Sequence, residues 1–145
     1  MKNSLKVISL IILVLFLIAI REFIAPILYD PLANYFKSDY LYQPIPSLNL
    51  GLLFVSTFIR YFLNSVVSIG VIYVIFQDIK MILFASKVYF YLFIILIICL
   101  MAILEFNQGD GYLLLFYVRR ILIHPILLLL LLPAFYFQNL KNLKN

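Results

Sequence analysis

Four apolar stretches, each about 20 residues or longer, dominate this sequence: roughly Leu5–Phe23, Leu50–Phe76, Met81–Glu105 and Tyr112–Phe137. The hydrocarbon core of a bilayer is about 30 Å thick, and about 20 apolar residues in an α-helix cross it. Lipid offers the backbone no hydrogen-bond partner, so a spanning segment must satisfy its own N–H and C=O groups as a helix. The spacing predicts an all-α membrane protein: a bundle of four transmembrane helices forming a single transmembrane domain over residues 1–145. Only 12% of the 145 residues are charged and 66% are hydrophobic, which no soluble fold of this size could hide. There is no room for a separate soluble catalytic domain.

The stretch near the N-terminus, behind the basic flank Met1–Lys6, resembles a signal peptide in outline. Arg21-Glu22-Phe23 is a poor cleavage context, so a retained anchor is expected. The connector 25–49 carries Pro26, Pro31, Pro44 and Pro46, which exclude a long helix. Its Tyr29, Tyr35, Tyr40 and Tyr42 suit a membrane–water interface, with rings buried and hydroxyls wet. An outer interfacial loop is expected there, with a short helix near Pro31–Phe36. Gln77–Lys80 reads as the connector between the second and third spans, and 107–111 as a polar turn before the fourth.

The distribution of Lys and Arg sets the expected orientation. With the N-terminus inside, Lys2, Lys6, Lys80, Lys141 and Lys144 all fall on the cytoplasmic side, and the turn 107–111 has no basic residue. Both termini are therefore expected in the cytoplasm. The net charge of +5 resides at chain ends, in a short loop and within spans, which fits topology signals and lipid phosphates and not nucleic acid. One Cys and one His give no zinc-ligand spacing, so neither a metal nor another cofactor is expected.

Charges inside the spans are the pointers to function, because a charged side chain at the bilayer centre costs about 2.5–3.5 kcal/mol on insertion scales. Arg119 and Arg120 sit side by side in the fourth span, and His124 follows one turn later. Ser56, Arg60, Asn64 and Ser68 recur every four residues and make one polar stripe on the second span. Pro125 has no N–H, which deprives the Ile121 carbonyl of its helical partner. Counting residues from the span ends places Arg60, Asn64, Arg119, Arg120 and His124 in the outer half of the membrane. Glu22 and Glu105, at the outer ends of the first and third spans, are the expected counter-ions, with Asp110 in the outer turn. Tyr117, Arg120 and His124 share a face, so Arg120 is expected to point into the bundle and Arg119 to snorkel toward lipid phosphates. The reading is an outward-facing cationic pocket for an anionic partner, substrate or lipid group. Plainer structural roles exist for each piece: an ion pair for Arg60, a satisfied core histidine beside a kink for His124, helix–helix hydrogen bonding for Asn64, and snorkelling for Lys87.

Cys99 raises a different class of function: it lies about six residues from Glu105, which by counting from the span end puts it at a depth like that of the arginines. A thiol near Arg120 and His124 would be a candidate nucleophile, since nearby cations lower a thiol pKa. Its neighbours Ile97, Ile98, Leu100 and Met101 are wholly apolar, a setting in which thiols are usually inert.

The strings RYFLNS (Arg60–Ser65), YLLLFYVRR (Tyr112–Arg120) and HPILLLLLLPAFYFQ (His124–Gln138) resemble the small membrane protein family associated with the exosortase F system. The similarity covers most of the chain from the second span onward. It implies a multi-pass protein of a gram-negative, Bacteroidetes-type inner membrane. Its partners would be an exosortase F-like membrane enzyme, which handles proteins bearing C-terminal sorting signals, or that enzyme's substrates, besides the membrane lipids. Exosortases proper use a Cys, an Arg and a His, but Cys99 lacks the small, Gly-containing surroundings of their nucleophile. The expected function is that of a non-catalytic accessory protein. The alternative is a membrane-embedded cysteine transpeptidase or protease using Cys99, His124 and Arg120. A lipid-binding module is a third reading; a transporter is disfavoured because no inverted repeat is visible.

Overall fold

The computed structural model describes residues 2–24, 26–28, 36–37, 49–106 and 112–144. Among them every regular element is helical. Helix α1 is Asn3–Ala19 and runs on into a π-helical segment, Ile20–Ile24. Helices α2 and α3 are Leu50–Phe76 and Ile79–Phe106. Helices α4 and α5 are Tyr112–Ile123 and Ile126–Lys144. The stretches long and apolar enough to cross a membrane are Asn3–Ile24, Leu50–Phe76, Ile79–Phe106 and Ile126–Lys144. Most of the connector 25–49 and the turn 107–111 lie outside the described residues, and with them Asp110.

Local chemistry explains the boundaries. The Asn49 side chain caps α2 by accepting a hydrogen bond from the Leu52 N–H. Gln77 closes that helix in the left-handed region at φ 53°, a position more often taken by Gly or Asn. The Asp78 carboxylate then accepts from the Lys80 N–H at 2.9 Å and starts α3. The connector is thus two residues, Gln77 and Asp78, and not the four expected; Ile79 and Lys80 already belong to the first turn of α3. At the other break, Pro125 offers no N–H and the chain turns through His124, where the Ile126 N–H donates back to the His124 carbonyl at 2.8 Å.

Helices α2 and α3 form an antiparallel hairpin. The Tyr61 hydroxyl donates to the Tyr89 carbonyl at 2.6 Å across it, and Phe58 and Tyr61 pack against Phe93. Helix α1 lies antiparallel on α2: Lys6 Nζ donates to the Ile75 carbonyl, Leu13 lies beside Gly70, and Arg21 borders the same cleft as Arg60. The Lys6 bond places a cation on the last turn of α2, where free carbonyls and the helix dipole favour it. Helices α4 and α5 run parallel to α2. Asn64 meets Ile123, and Phe76 meets Phe135; each pair is offset by the same number of residues. Helix α4, with 12 residues, is too short to cross a bilayer. The stretch expected as the fourth span is therefore broken into α4 and α5, and α5, itself long and apolar enough to cross a membrane, draws level with the Gln77–Asp78 turn at Phe135.

The core is a seam between α2, α3, α4 and the start of α5, centred on Ile72, Leu100, Leu115 and Leu122, all at most 1% exposed. Helix α1 contributes no fully buried residue and lies on the outside of this seam. Both ends of the described chain share the end of the bundle that carries the Gln77–Asp78 turn.

Candidate functional site

A cleft of about 200 Å³ opens where α1 passes into its π segment and crosses α2 beside the break in the fourth span. It is lined by Leu17, Ile18, Ile20, Arg21, Arg60, Asn64, Ile123, His124 and Pro125. Three irregularities build it. The π segment widens one turn of the first span, so Ile20 is buried at 2% exposure while Arg21 borders the cleft. The four-residue period of α2 sets Arg60 and Asn64 one above the other. The break at His124–Pro125 opens the fourth span at the same height.

Asn64 ties the break to α2. Its side-chain amide donates to the Ile123 carbonyl at 2.8 Å. In a continuous helix that carbonyl would accept from the N–H four residues on. The carbonyl that gains a tertiary partner is thus Ile123, where Ile121 was expected to seek one. Arg60 is 5% exposed and belongs to the interior of the bundle. The His124 side chain lies within electrostatic range of Arg21, Arg120, Arg119 and Arg60.

The two adjacent arginines take the opposite orientations from those expected. Arg119 is half-buried, with its guanidinium over the ring of Phe36 at 5.7 Å from the centroid. Phe36 in turn makes an edge contact with Phe116 at 5.3 Å. Arg120 is the exposed one. Neither borders the cleft. A shared helical face with His124 did not carry Arg120 inward, because α4 presents Leu115, Val118 and Leu122 to the core and that stripe turns Arg120 away from it.

The expected counter-ions stand apart from the cleft. Glu22 and Glu105 are exposed and make no ion pair among the described residues. Glu105 lies at the end of α3 farthest from the Gln77–Asp78 turn. Cys99 is exposed on α3 and does not border the cleft that holds His124. It lies about ten residues beyond Tyr89 along α3, roughly 15 Å at the helical rise, while Tyr89 bonds Tyr61 near the height of Asn64. The similar depths inferred for Cys99 and the arginines by counting from span ends do not hold, because α3 extends farther past the cleft than α4 does.

Sequence reasoning missed Arg21 as a cleft residue. The signal was present: Arg21 ends the first span at the height where an antiparallel neighbour carries Arg60. Among the described residues no group of three His, Cys, Asp or Glu side chains could hold a metal. The residues that border the cleft offer guanidinium, imidazole and amide donors on apolar walls. They include no nucleophile and no carboxylate. Such a set recognises an anion by charge-assisted hydrogen bonds. No protein family, curated protein or solved structure matches the chain.

Proposed function

We propose that this chain is a non-catalytic accessory protein of an exosortase-type sorting system in a bacterial inner membrane, with both termini cytoplasmic. The cleft between the π segment, α2 and the broken fourth span receives an anionic group of the partner enzyme, its substrate or a lipid. The observation that carries the anion-binding part is the convergence of Arg21, Arg60, Asn64 and His124, from three separate spans, on one cleft. Charged groups within a bilayer face a protein interior or a cavity and mark functional pathways. The sorting-system part is supported by the strings RYFLNS, YLLLFYVRR and HPILLLLLLPAFYFQ, which include Arg60, Asn64 and His124 of this cleft. The orientation is supported by the position of Lys2, Lys6, Lys80, Lys141 and Lys144 toward one end of the bundle.

The test is to replace Arg60 with Leu, and separately His124 with Gln, in cells that carry the exosortase F-like enzyme and a tagged substrate. Sorting and co-purification with the enzyme should both fall in each variant, while Arg60→Lys retains part of them. Normal sorting and normal co-purification in both Arg60→Leu and His124→Gln would overturn the reading.

A further inference from the structure

Arg21 is the exposed cation at the mouth of the cleft, and among the described residues it makes no hydrogen bond and no ion pair. It stands three residues from the end of the apolar stretch Asn3–Ile24. That is where a span meets the head-group layer. The His124 imidazole and the Asn64 amide border the same cleft, and both can donate to an oxyanion.

What leads away from Arg21 is apolar. Ile18 borders the cleft with it. Val7, Ile11, Val14 and Ile18 recur at spacings of four, three and four, so they make one stripe along α1. Each is about half exposed. The adjacent stripe, Leu10, Leu13 and Leu17, is the one that packs toward the core. From Val7 to Ile18 the chain rises roughly 16 Å. An acyl chain of one leaflet spans half of a core about 30 Å thick, or about 15 Å. The stripe therefore has the length of one lipid chain and carries a cation at its head-group end. The cleft itself, about 200 Å³, has room for a phosphate and not for two acyl chains.

From this arrangement we infer that the anion taken by the cleft is the phosphate of an anionic phospholipid. Arg21, His124 and Asn64 hold the phosphate, and one acyl chain lies along Val7–Ile18 of α1. The inference rests on the anion-binding reading of the cleft and narrows it to a lipid. Basic pockets between membrane helices bind phospholipid head groups in this way. A carboxylate of a protein partner would meet the same donors, but it brings no hydrocarbon of that length to the stripe beside them.

The experiment titrates the purified full chain in detergent with dioleoyl phosphatidylglycerol and counts bound lipid by native mass spectrometry. One lipid should bind saturably. Dioleoyl phosphatidylcholine, whose choline cancels the phosphate charge, should bind about tenfold more weakly. Arg21→Gln should weaken phosphatidylglycerol binding about tenfold, through loss of a hydrogen bond between charged groups, and Arg21→Lys should fall between. A phosphatidylglycerol with a photoreactive diazirine near its chain end should label α1 between Val7 and Val14 in the wild-type chain, a readout that needs no variant to fold. Equal binding of the two lipids, wild-type binding by Arg21→Gln, or labelling spread evenly over all helices would each overturn the inference. So would displacement of the lipid by equimolar glycerol 1-phosphate or by an acidic peptide, since the site would then read an anion without its chain. The broader reading has its own readout. Sorting lost in Arg60→Leu, with lipid binding indifferent to Arg21, sinks the lipid alone; lipid binding that follows Arg21, with normal sorting, sinks the accessory role alone.

Discussion

The Asn64 amide holds the Ile123 carbonyl at 2.8 Å, bridging α2 to the point where the fourth span breaks. One side chain thereby satisfies a backbone group that the break withdraws from its helix, and it does so on the wall of the cleft. In a bilayer interior an unsatisfied carbonyl has no water to turn to. Interhelical hydrogen bonds of this kind contribute about 0.6 kcal/mol on average and up to about 1.7 kcal/mol. Asn64→Leu is expected to destabilise the protein by about 1 kcal/mol. Titration of the micelle-bound protein with a denaturing detergent measures it; an unchanged midpoint would show the bond to be dispensable.

Pro125 is the cause assigned here to the break between α4 and α5. Pro125→Ala restores an N–H and removes the ring clash with the preceding turn. The two half-helices should then merge and straighten. Spin labels on Leu113→Cys and Leu140→Cys, in a Cys99→Ser background, should move apart relative to the same labels with Pro125 present. An identical distance distribution would place the origin of the break in packing against α2 and α3.

Cys99→Ala should leave sorting intact. Its thiol faces outward from α3 and does not border the cleft. The measurement is the fraction of a tagged substrate processed in cells. Loss of processing with normal protein levels would instead support the cysteine-enzyme alternative.

Both chain ends lie toward the Gln77–Asp78 turn, and the basic residues there predict that this end is cytoplasmic. Green fluorescent protein fused after Asn145 should fluoresce, whereas alkaline phosphatase fused at the same place should be inactive. The reverse pattern would invert the bundle and turn the proposed outer face inward.

Much of the architecture was legible because it depends on one-dimensional properties. The lengths of the apolar runs set the number of spans, and the four-residue recurrence from Ser56 to Ser68 put Arg60 and Asn64 on one face. Residue counts also set Arg120 and Arg60 at one depth, and the structure places them so. The counts failed for Cys99, since α3 and α4 extend unequally past the cleft.

The sequence by itself determined how far along its own helix each charge sits, that Pro125 withdraws one backbone donor from the fourth apolar run, and that four stretches are long and apolar enough to cross a membrane. Only the tertiary structure decided the rotation of each helix about its axis. That rotation is set by which apolar stripe packs best against the neighbours. Leu115, Val118 and Leu122 claimed the core face of α4, so Arg119 turned toward Phe36 and Arg120 toward lipid. It likewise brought Arg21 to the cleft that Arg60 lines and chose Ile123 as the carbonyl that Asn64 reaches, because register between helices is fixed by side-chain fit and not by the period within either one.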